Sequence, residues 1–367
     1  MLYDNYSKFA DKAFLPKGNV SSAAYNIDGD LIWENTNKKP TIPYNSVTDE
    51  DVDKSYVWTY NLDTLRNLQQ NKFTIGLETD THFLVSYPLT FATPLKNMSK
   101  KLYMDFMCNL GDVPRGWGRD TYSDTENGMV EIMRRYINYC TCPFLVLQGN
   151  HDNNVCRARV VTHDINDAFT KQKMYDLSIK KVKETTNIVG VDQNETYYYK
   201  DFNECRVIVL NTNDYPYQTV PDTDMSEEHH TISDKQIQWF KTSALNTTKP
   251  VLIMSHAPLV ASLSPKLVVP SSDTATTNMI PWNADKIVNE IETFANNGGT
   301  VVACFCGHMH EQLNVKINGI NYICFGNGGY YAEIVFIDFI KNTIQTKVIG
   351  SDLSTDYGTA VDRNFSF

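Results

Sequence analysis

The sequence predicts an α/β fold of mixed β-sheets with helices packed outside them. Three observations carry this. From residue 73 to residue 306, short apolar runs alternate with stretches of helical periodicity, the pattern of sheets whose strands are joined by crossover helices. After residue 312 the pattern changes to strand, tight turn, strand, with Asn318-Gly319 between two apolar runs. Five of the apolar runs end in a short group of His, Asp or Asn. Such strand ends are where α/β folds expose side chains that a rigid sheet holds in place. A chain of 367 residues, 42% of them hydrophobic, suffices for one large domain or two ordinary ones.

Taken in order, residues 1–70 differ from the rest. They are rich in Asn, Asp, Ser and Tyr and are interrupted by Pro16, Gly18, Pro40 and Pro43. A hairpin is expected over residues 25–33, turning at Asp28-Gly29-Asp30, and a short helix over 56–68 from Tyr60, Leu62, Leu65 and Leu68. The segment is too polar for a core of its own. It reads as an extension that wraps the main domain or docks a protein partner. The main domain is placed at 71–350 and a tail at 351–367.

Within the main domain, 73–77 reads as a strand followed by Asp80-Thr81-His82, and 94–101 as a helix. Residues 104–110 form a second strand, ending in Gly111-Asp112. A helix over 126–139 places Met129, Ile132, Met133, Tyr136 and Ile137 near one face. The strand at 143–147 leads into Gly149-Asn150-His151-Asp152. Residues 196–200 and 206–210 read as paired strands. The helix at 233–245 opens on a capping box, with Ser233 as N-cap and Gln236 three residues on. A strand at 251–254 ends in Ser255-His256, a helix follows at 284–295, and the strand at 300–305 ends in Gly307-His308-Met309-His310. A hairpin at 313–325 begins an antiparallel end.

Charge and cysteine usage narrow the function. A formal net charge of −10 argues against a binder of nucleic-acid backbones, which relies on Lys and Arg. It leaves phosphorylated small substrates open, because bound metals reverse local charge. Several of the eight cysteines lie inside apolar runs, as in Cys304-Phe305-Cys306, and read as buried free thiols; Cys140-x-Cys142 and Cys304-x-Cys306 do not have zinc-knuckle spacing. The first residues lack the basic and apolar regions of a secretory leader. No apolar run approaches the ~18 residues of a membrane span. A cytoplasmic location with reduced thiols is expected.

The five polar groups contain five of the eight histidines; His163, His229 and His230 lie in polar stretches and read as surface residues. Imidazole and carboxylate together suit Mn, Fe, Zn, Co or Ni rather than a purely hard calcium site. Asp-x-His and His-x-His each offer alternate side chains to a shared ion. Taken singly, each group is a common surface turn. Their joint occurrence, each just after an apolar run, is not.

In order and in kind, the five groups resemble the pattern of the calcineurin-like metallophosphoesterase superfamily: Asp-x-His, Gly-Asp, Gly-Asn-His-Asp/Glu, a later His, and Gly-His-x-His. The resemblance runs from Asp80 to His310, includes the helix around residues 232–240, and leaves out residues 1–70. It implies a four-layer α/β/β/α sandwich with two mixed sheets and a site for two divalent transition-metal ions. Asp80, His82 and His310 would bind one ion, Asn150, His256 and His308 the other, and Asp112 would bridge them. His151 would sit beside the phosphoryl group, oriented by Asp152. Two ions roughly 3.5–4 Å apart would clamp the phosphate and generate a bridging hydroxide for in-line attack.

There are departures from the family. Asn211 stands where many relatives carry an Asp and is not expected to be a ligand. Asp152, in place of Glu, argues against the Ser/Thr protein phosphatase branch. Arg115 and Arg119 are each either a phosphate contact or a solvent-facing arginine. Residues 213–231 and 257–282 are long insertions after strand ends, expected to rim the pocket. The expectation is a metal-dependent phosphoesterase acting on a phosphodiester or a small phosphorylated compound. The alternative is a structural or surface-attached assembly component carrying this fold, with or without the ability to cut a phosphodiester-linked surface polymer.

Overall fold

The computed structural model describes residues 23–25, 31–33, 62–82, 102–116, 120–139, 142–155, 158–186, 195–214, 230–267, 269, 280–326, 331–350, 354–355 and 358–367. Its strands are β1 (Ala23–Tyr25), β2 (Leu31–Trp33), β3 (Phe73–Glu78), β4 (Phe106–Asn109), β5 (Phe144–Val146), β6 (Tyr198–Asp201), β7 (Arg206–Val209) and β8 (Val251–Met254). They continue as β9 (Val301–Cys306), β10 (Leu313–Ile317), β11 (Ile320–Cys324), β12 (Tyr331–Asp338), β13 (Thr343–Gly350), β14 (Ser354–Thr355), β15 (Gly358–Thr359) and β16 (Arg363–Ser366). The α-helices are α1 (Leu62–Gln69), α2 (Tyr122–Tyr139), α3 (Lys171–Met174), α4 (Lys180–Thr186), α5 (Asp234–Trp239) and α6 (Ala284–Asn296).

Two six-stranded mixed sheets make the body. One runs β16-β13-β12-β3-β4-β5, the other β10-β11-β9-β8-β7-β6. In each, the central strands are parallel (β3-β4-β5 and β7-β8-β9-β11), and antiparallel strands complete the sheet. Their faces explain their composition. Leu252 and Met254 of β8 point into one core, shared with Ile75, Leu77 and Cys108 of the first sheet; Val251 and Ile253 point into a second core under α5 and α6. A strand buried on both faces has no place for a polar residue, hence Val-Leu-Ile-Met without alternation. Each such side chain contributes about 1.5–3 kcal/mol of burial. Between the sheets, Cys108 Sγ lies 3.7 Å from Met254 Sδ, and the Tyr198 hydroxyl donates to the Val146 carbonyl at 3.0 Å. On the outer side of the first sheet, Met129, Ile132 and Met133 of α2 and Val182 of α4 belong to the same continuous apolar cluster, with α4 packed on β5. Helices therefore lie outside both sheets.

Helix starts follow local hydrogen bonding. Helix α2 begins four residues ahead of the expected start at 126. The Thr121 hydroxyl accepts from the Asp124 N–H at 3.2 Å while Asp124 accepts from the Thr121 N–H at 2.8 Å, a reciprocal capping box. The box expected at Ser233 forms by half. Ser233 accepts from the Gln236 N–H, but the Gln236 amide turns inward and pairs with the backbone N–H and C=O of Asn211, each at 2.8 Å. Helix α5 continues as a π-helical turn over Phe240–Ala244, and α3 joins α4 through another over Tyr175–Ile179.

The hairpin expected at 25–33 pairs Ala23–Tyr25 with Leu31–Trp33, and α1 buries Leu65 in the inter-sheet core. Residues 363–366, set in a tail above, form β16 at the edge of the first sheet. The helix expected at 94–101 lies outside the described residues, as do Cys140 and Cys156. Of the described cysteines, Cys108, Cys205, Cys304, Cys306 and Cys324 are buried and Cys142 half-buried, all as free thiols. Among the described residues, no helix is long and apolar enough to cross a membrane.

Candidate metal centre

The polar groups emerge at the C-terminal ends of β3, β4 and β5 in one sheet and of β8 and β9 in the other. Parallel pairing continues past the strands into the loops. The Asp80 N–H donates to the Gly111 carbonyl and the His82 N–H to the Asp112 carbonyl, both at 3.0 Å, and the Gly307 N–H donates to the His256 carbonyl at 2.9 Å. The loops are thus anchored as firmly as the strands. Asp80, His82, Asp112, His308 and His310 all have left-handed backbone, with φ between 44° and 68°. Non-glycine residues adopt it rarely, and clusters of it mark functional sites. Gly111 has φ +104°, and a side chain there would meet His256 Nδ1 at 2.7 Å, so glycine is required where the two sheets come together.

Three groups of ligand atoms assemble from these loops: Asp80, His82 and His310; His82, Asp112 and His151; and Asp112, His256 and His308. Within each group the atoms lie within 4.8 Å of one another. Asp80 and His256 are fully buried, and Asp112 and Asn150 nearly so. Asp80 Oδ2 accepts from the Thr79 hydroxyl at 2.7 Å and the His308 N–H at 2.9 Å, while Oδ1 faces His310 Nε2 at 3.4 Å. Asp112 Oδ1 accepts from the His151 N–H at 2.8 Å, and its Oδ2 faces His256 Nε2 at 3.2 Å and His151 Nε2 at 3.8 Å. His256 Nδ1 donates to the Leu110 carbonyl at 2.9 Å, which turns Nε2 toward Asn150 Oδ1 at 3.0 Å. Such a bond to a carbonyl is the usual way an imidazole is fixed for metal binding.

Electrostatics favour the charge states a cation needs at Asp80, Asp112, His82 and His308, and the opposite state at His256. Burial opposes ionisation of Asp80, but the hydrogen bond and charge of His310 outweigh it and hold the carboxyl at about 2. Burial likewise opposes the Asp112 anion, and His256 and His151 outweigh it, keeping it well below the usual range. Burial, then the neighbouring imidazoles, push His82 down to about 4 and His308 to about 3, so both rings are neutral at pH 7. His256 goes the other way: Asp112 overrides burial and raises it to about 10.

The donor set fits divalent transition metals. It offers imidazole nitrogens, two carboxylates and an amide oxygen. His82 Nε2 and His310 Nε2 face each other at 3.0 Å. The shielded His308 Nε2 has no hydrogen-bond partner among the described residues. A shielded polar atom without a partner costs about 1–3 kcal/mol, which a bound cation would relieve.

Each sequence-predicted site residue reaches this cluster or its immediate support, with some corrections to how. Asp152 does not hold the His151 ring. Its two oxygens accept from the backbone N–H groups of Val113 and Gly149, both at 2.7 Å, which locks the β4 and β5 loops together. Burial, then the Asp112 charge, push Asp152 up to about 8. The His151 ring is held instead by the Arg115 carbonyl, 2.5 Å from Nδ1. A carbonyl only accepts, so Nδ1 carries hydrogen and Nε2 faces the cleft. The Arg115 guanidinium is gripped by Asp120 at 2.7 and 2.9 Å; Arg119 lies outside the described residues. Asn211 turns to Thr196 and Gln148. His163 is exposed and His229 lies outside the described residues.

His230 is not a surface residue. It is fully buried, with its ring 4.6 Å from that of His308. Its one sequence signal is its place just ahead of the Ser233 cap, which sets how the insertion re-enters the fold. Of the acidic residues in that insertion, Asp214 is buried and pairs with Lys171 and Ser233 rather than facing a pocket.

A family model described as calcineurin-like phosphoesterase matches residues 73–312. No curated protein is a significant sequence match. Among solved structures, a dimetal phosphatase from Danio rerio superposes with a TM-score of 0.54 at 13% identity, covering 80% of this chain and 98% of that one. GAP50, the anchor in the inner membrane complex of Plasmodium, gives 0.42 at 12% identity, with 80% and 89% covered. Phosphopantetheinyl hydrolase from Mycobacterium tuberculosis gives 0.38 at 12% identity, with 70% and 91% covered.

Proposed function

The chain belongs to the calcineurin-like phosphoesterase family, and on that premise we propose that it is a dinuclear metal-dependent phosphoesterase acting on a phosphodiester or a small phosphorylated compound. The observation that carries this reading is the convergence of carboxylate, imidazole and amide donors from two sheets, with His308 Nε2 shielded and unpaired. Asp80, His82 and His310 would hold one divalent ion, Asn150, His256 and His308 the other, and Asp112 would serve both. When bound, such ions supply Lewis-acid polarisation of a phosphoryl oxygen and a water nucleophile at neutral pH.

The chain's own residues do the rest. Asp80 is oriented by the Thr79 hydroxyl on Oδ2 and by the His308 N–H, from which both its oxygens accept, so that Oδ1 turns toward His310. Asp112 is pinned through Oδ1, leaving Oδ2 as the shared donor. His151, a fifth exposed, is the cleft residue whose Nε2, in the imidazolium form with Nδ1–H held by the Arg115 carbonyl, can give a proton to the leaving oxygen or a hydrogen bond to the phosphoryl group. Asp152 sets the spacing between the Asp112 and Asn150 loops through the backbone. The formal net charge of −10 and the engaged Arg115 disfavour a polyanionic substrate.

The test is hydrolysis of a generic phosphodiester and a generic phosphomonoester by protein stripped of metal and refilled with Mn(II), with Asp112→Asn as control. Activity that needs both Mn(II) and Asp112 is expected, and the diester/monoester ratio assigns the substrate class. Wild-type protein that binds no transition metal sinks the reading.

A further inference from the structure

Most of the imidazoles in the centre are held by a hydrogen bond to a ring nitrogen. His256 has the Leu110 carbonyl, His151 has the Arg115 carbonyl, and His82 and His310 face each other. His308 is the exception: among the described residues no hydrogen bond reaches its ring. It is held by packing alone, edge to face between His230 at 4.6 Å and 77° and His256 at 5.1 Å and 69°. His256 is itself part of the centre. His230 is not: it belongs to no ligand group, is fully buried, and is steadied by the Asn213 amide, 3.2 Å from its Nδ1.

The backbone around His230 is unusually well anchored for the end of a long insertion. The Thr231 N–H donates to the Thr212 carbonyl at 2.8 Å and the Asp214 N–H to the Thr231 carbonyl at 3.1 Å, tying it to the loop after β7. The Trp282 N–H donates to the His230 carbonyl at 2.9 Å and the Ile232 N–H to the Trp282 carbonyl at 3.1 Å, tying it to the end of the other insertion. Both insertions therefore rejoin the sheet at one point, and the side chain at that point lies against His308.

We propose that His230 is a positioning residue for His308: its ring sets the orientation of that ligand and so the affinity of the ion His308 holds, and its backbone couples both insertions to that ion. The inference rests on the proposed dinuclear reading of the centre. Partners that orient metal-binding side chains typically carry about 10–100-fold in metal affinity.

Two variants separate ring packing from hydrogen bonding. His230→Phe keeps an aromatic ring against His308 and gives up the Asn213 bond. His230→Gln keeps a hydrogen-bonding group for Asn213 and gives up the ring. Mn(II) titration calorimetry on the metal-stripped full chain reads both ions, with thermal melting of the metal-free protein as a check on folding and His308→Ala as the reference for loss of one ion. The expected result is that His230→Gln weakens one of the two binding steps by about 10–100-fold, the step His308→Ala removes, and leaves the other unchanged, while His230→Phe binds like wild type. Wild-type affinities in both variants overturn the inference alone. So does equal weakening of both steps, and so does the reverse order, with Phe weak and Gln native. Wild-type protein that binds no Mn(II) overturns the reading of the centre, and this inference with it.

Discussion

Two buried clusters of charge lie at opposite ends of the second sheet, and they are built to opposite rules. At the N-terminal end of β7, Arg206 is almost fully enclosed. Asp201 takes its Nε and one terminal nitrogen at 2.8 and 2.9 Å, and the carbonyls of Ser243, Ala244 and Asn246 accept from the other at 3.0–3.2 Å. Its guanidinium lies 3.9 Å from the Tyr199 ring. The chain answers every guanidinium nitrogen, and the cation sits over the last carbonyls of the α5 segment, where positive charge is favoured. At the C-terminal ends of the strands the reverse holds: imidazole nitrogens face each other or carboxylate oxygens, and His308 Nε2 is left unpaired. A closed cluster stabilises the fold, whereas a cluster in which imidazole and carboxylate lone pairs converge and one shielded imidazole nitrogen has no donor is arranged for something that arrives from outside.

The comparison can be broken experimentally. The largest effect is expected at His151. Replacing it by Ala removes the cleft imidazole but no proposed metal donor, so kcat should fall by about 10²–10³-fold with the metal content per chain unchanged by elemental analysis. A matching loss of bound metal would move His151 into the ligand set. Next in size, Arg206→Ala should lower stability by about 3 kcal/mol, read as a shift in the urea midpoint, with activity per folded molecule unaltered. A loss of activity at constant folded fraction would show that the two ends are not independent.

The smallest effect is a pH dependence. The hydrogen bond from Arg206, against partial burial, lowers the Asp201 carboxyl below its usual value. A depressed folded-state pKa contributes stability that is present above the unfolded value of ~3.9 and is lost as pH falls through the folded one. Asp201→Asn should therefore be less stable than wild type at pH 6, and the gap should narrow toward pH 3. A gap independent of pH would mean that packing, not charge, holds Arg206.

The centre and the supports around it differ in how legible they were. Asp80-Thr81-His82 and His308-Met309-His310 are local patterns after apolar runs, and they converge because parallel strands from one side of a sheet bring their ends to one edge. Asp112 and Asn150 follow for the same reason. The partners that orient these residues left no such trace. The Arg115 carbonyl is a backbone atom, which any residue type supplies. The family resemblance gives Asp152 to the His151 ring, but the backbone N–H groups of Val113 and Gly149 take its two oxygens. The early start of α2 rests on Thr121 and Asp124, a capping pair in which Asp replaces the more familiar Glu or Gln. Strands β12 and β16 join the first sheet from the far end of the chain, a pairing no local pattern specifies.

The order of residues was enough for an α/β architecture of mixed sheets, because burial on both faces demands unbroken apolar runs, and for which strand ends carry imidazole and carboxylate; the division into two sheets followed from the family resemblance. Only the tertiary structure decided which atom of each group is free. Whether Asp80 offers Oδ1 or Oδ2, whether His151 presents Nε2, and whether His230 faces water or His308 depend on donors and rings brought in from elsewhere in the chain. Hydrogen bonding and ring packing act over a few ångströms, and contacts at that range are set by how the sheets and insertions meet, not by neighbours in sequence.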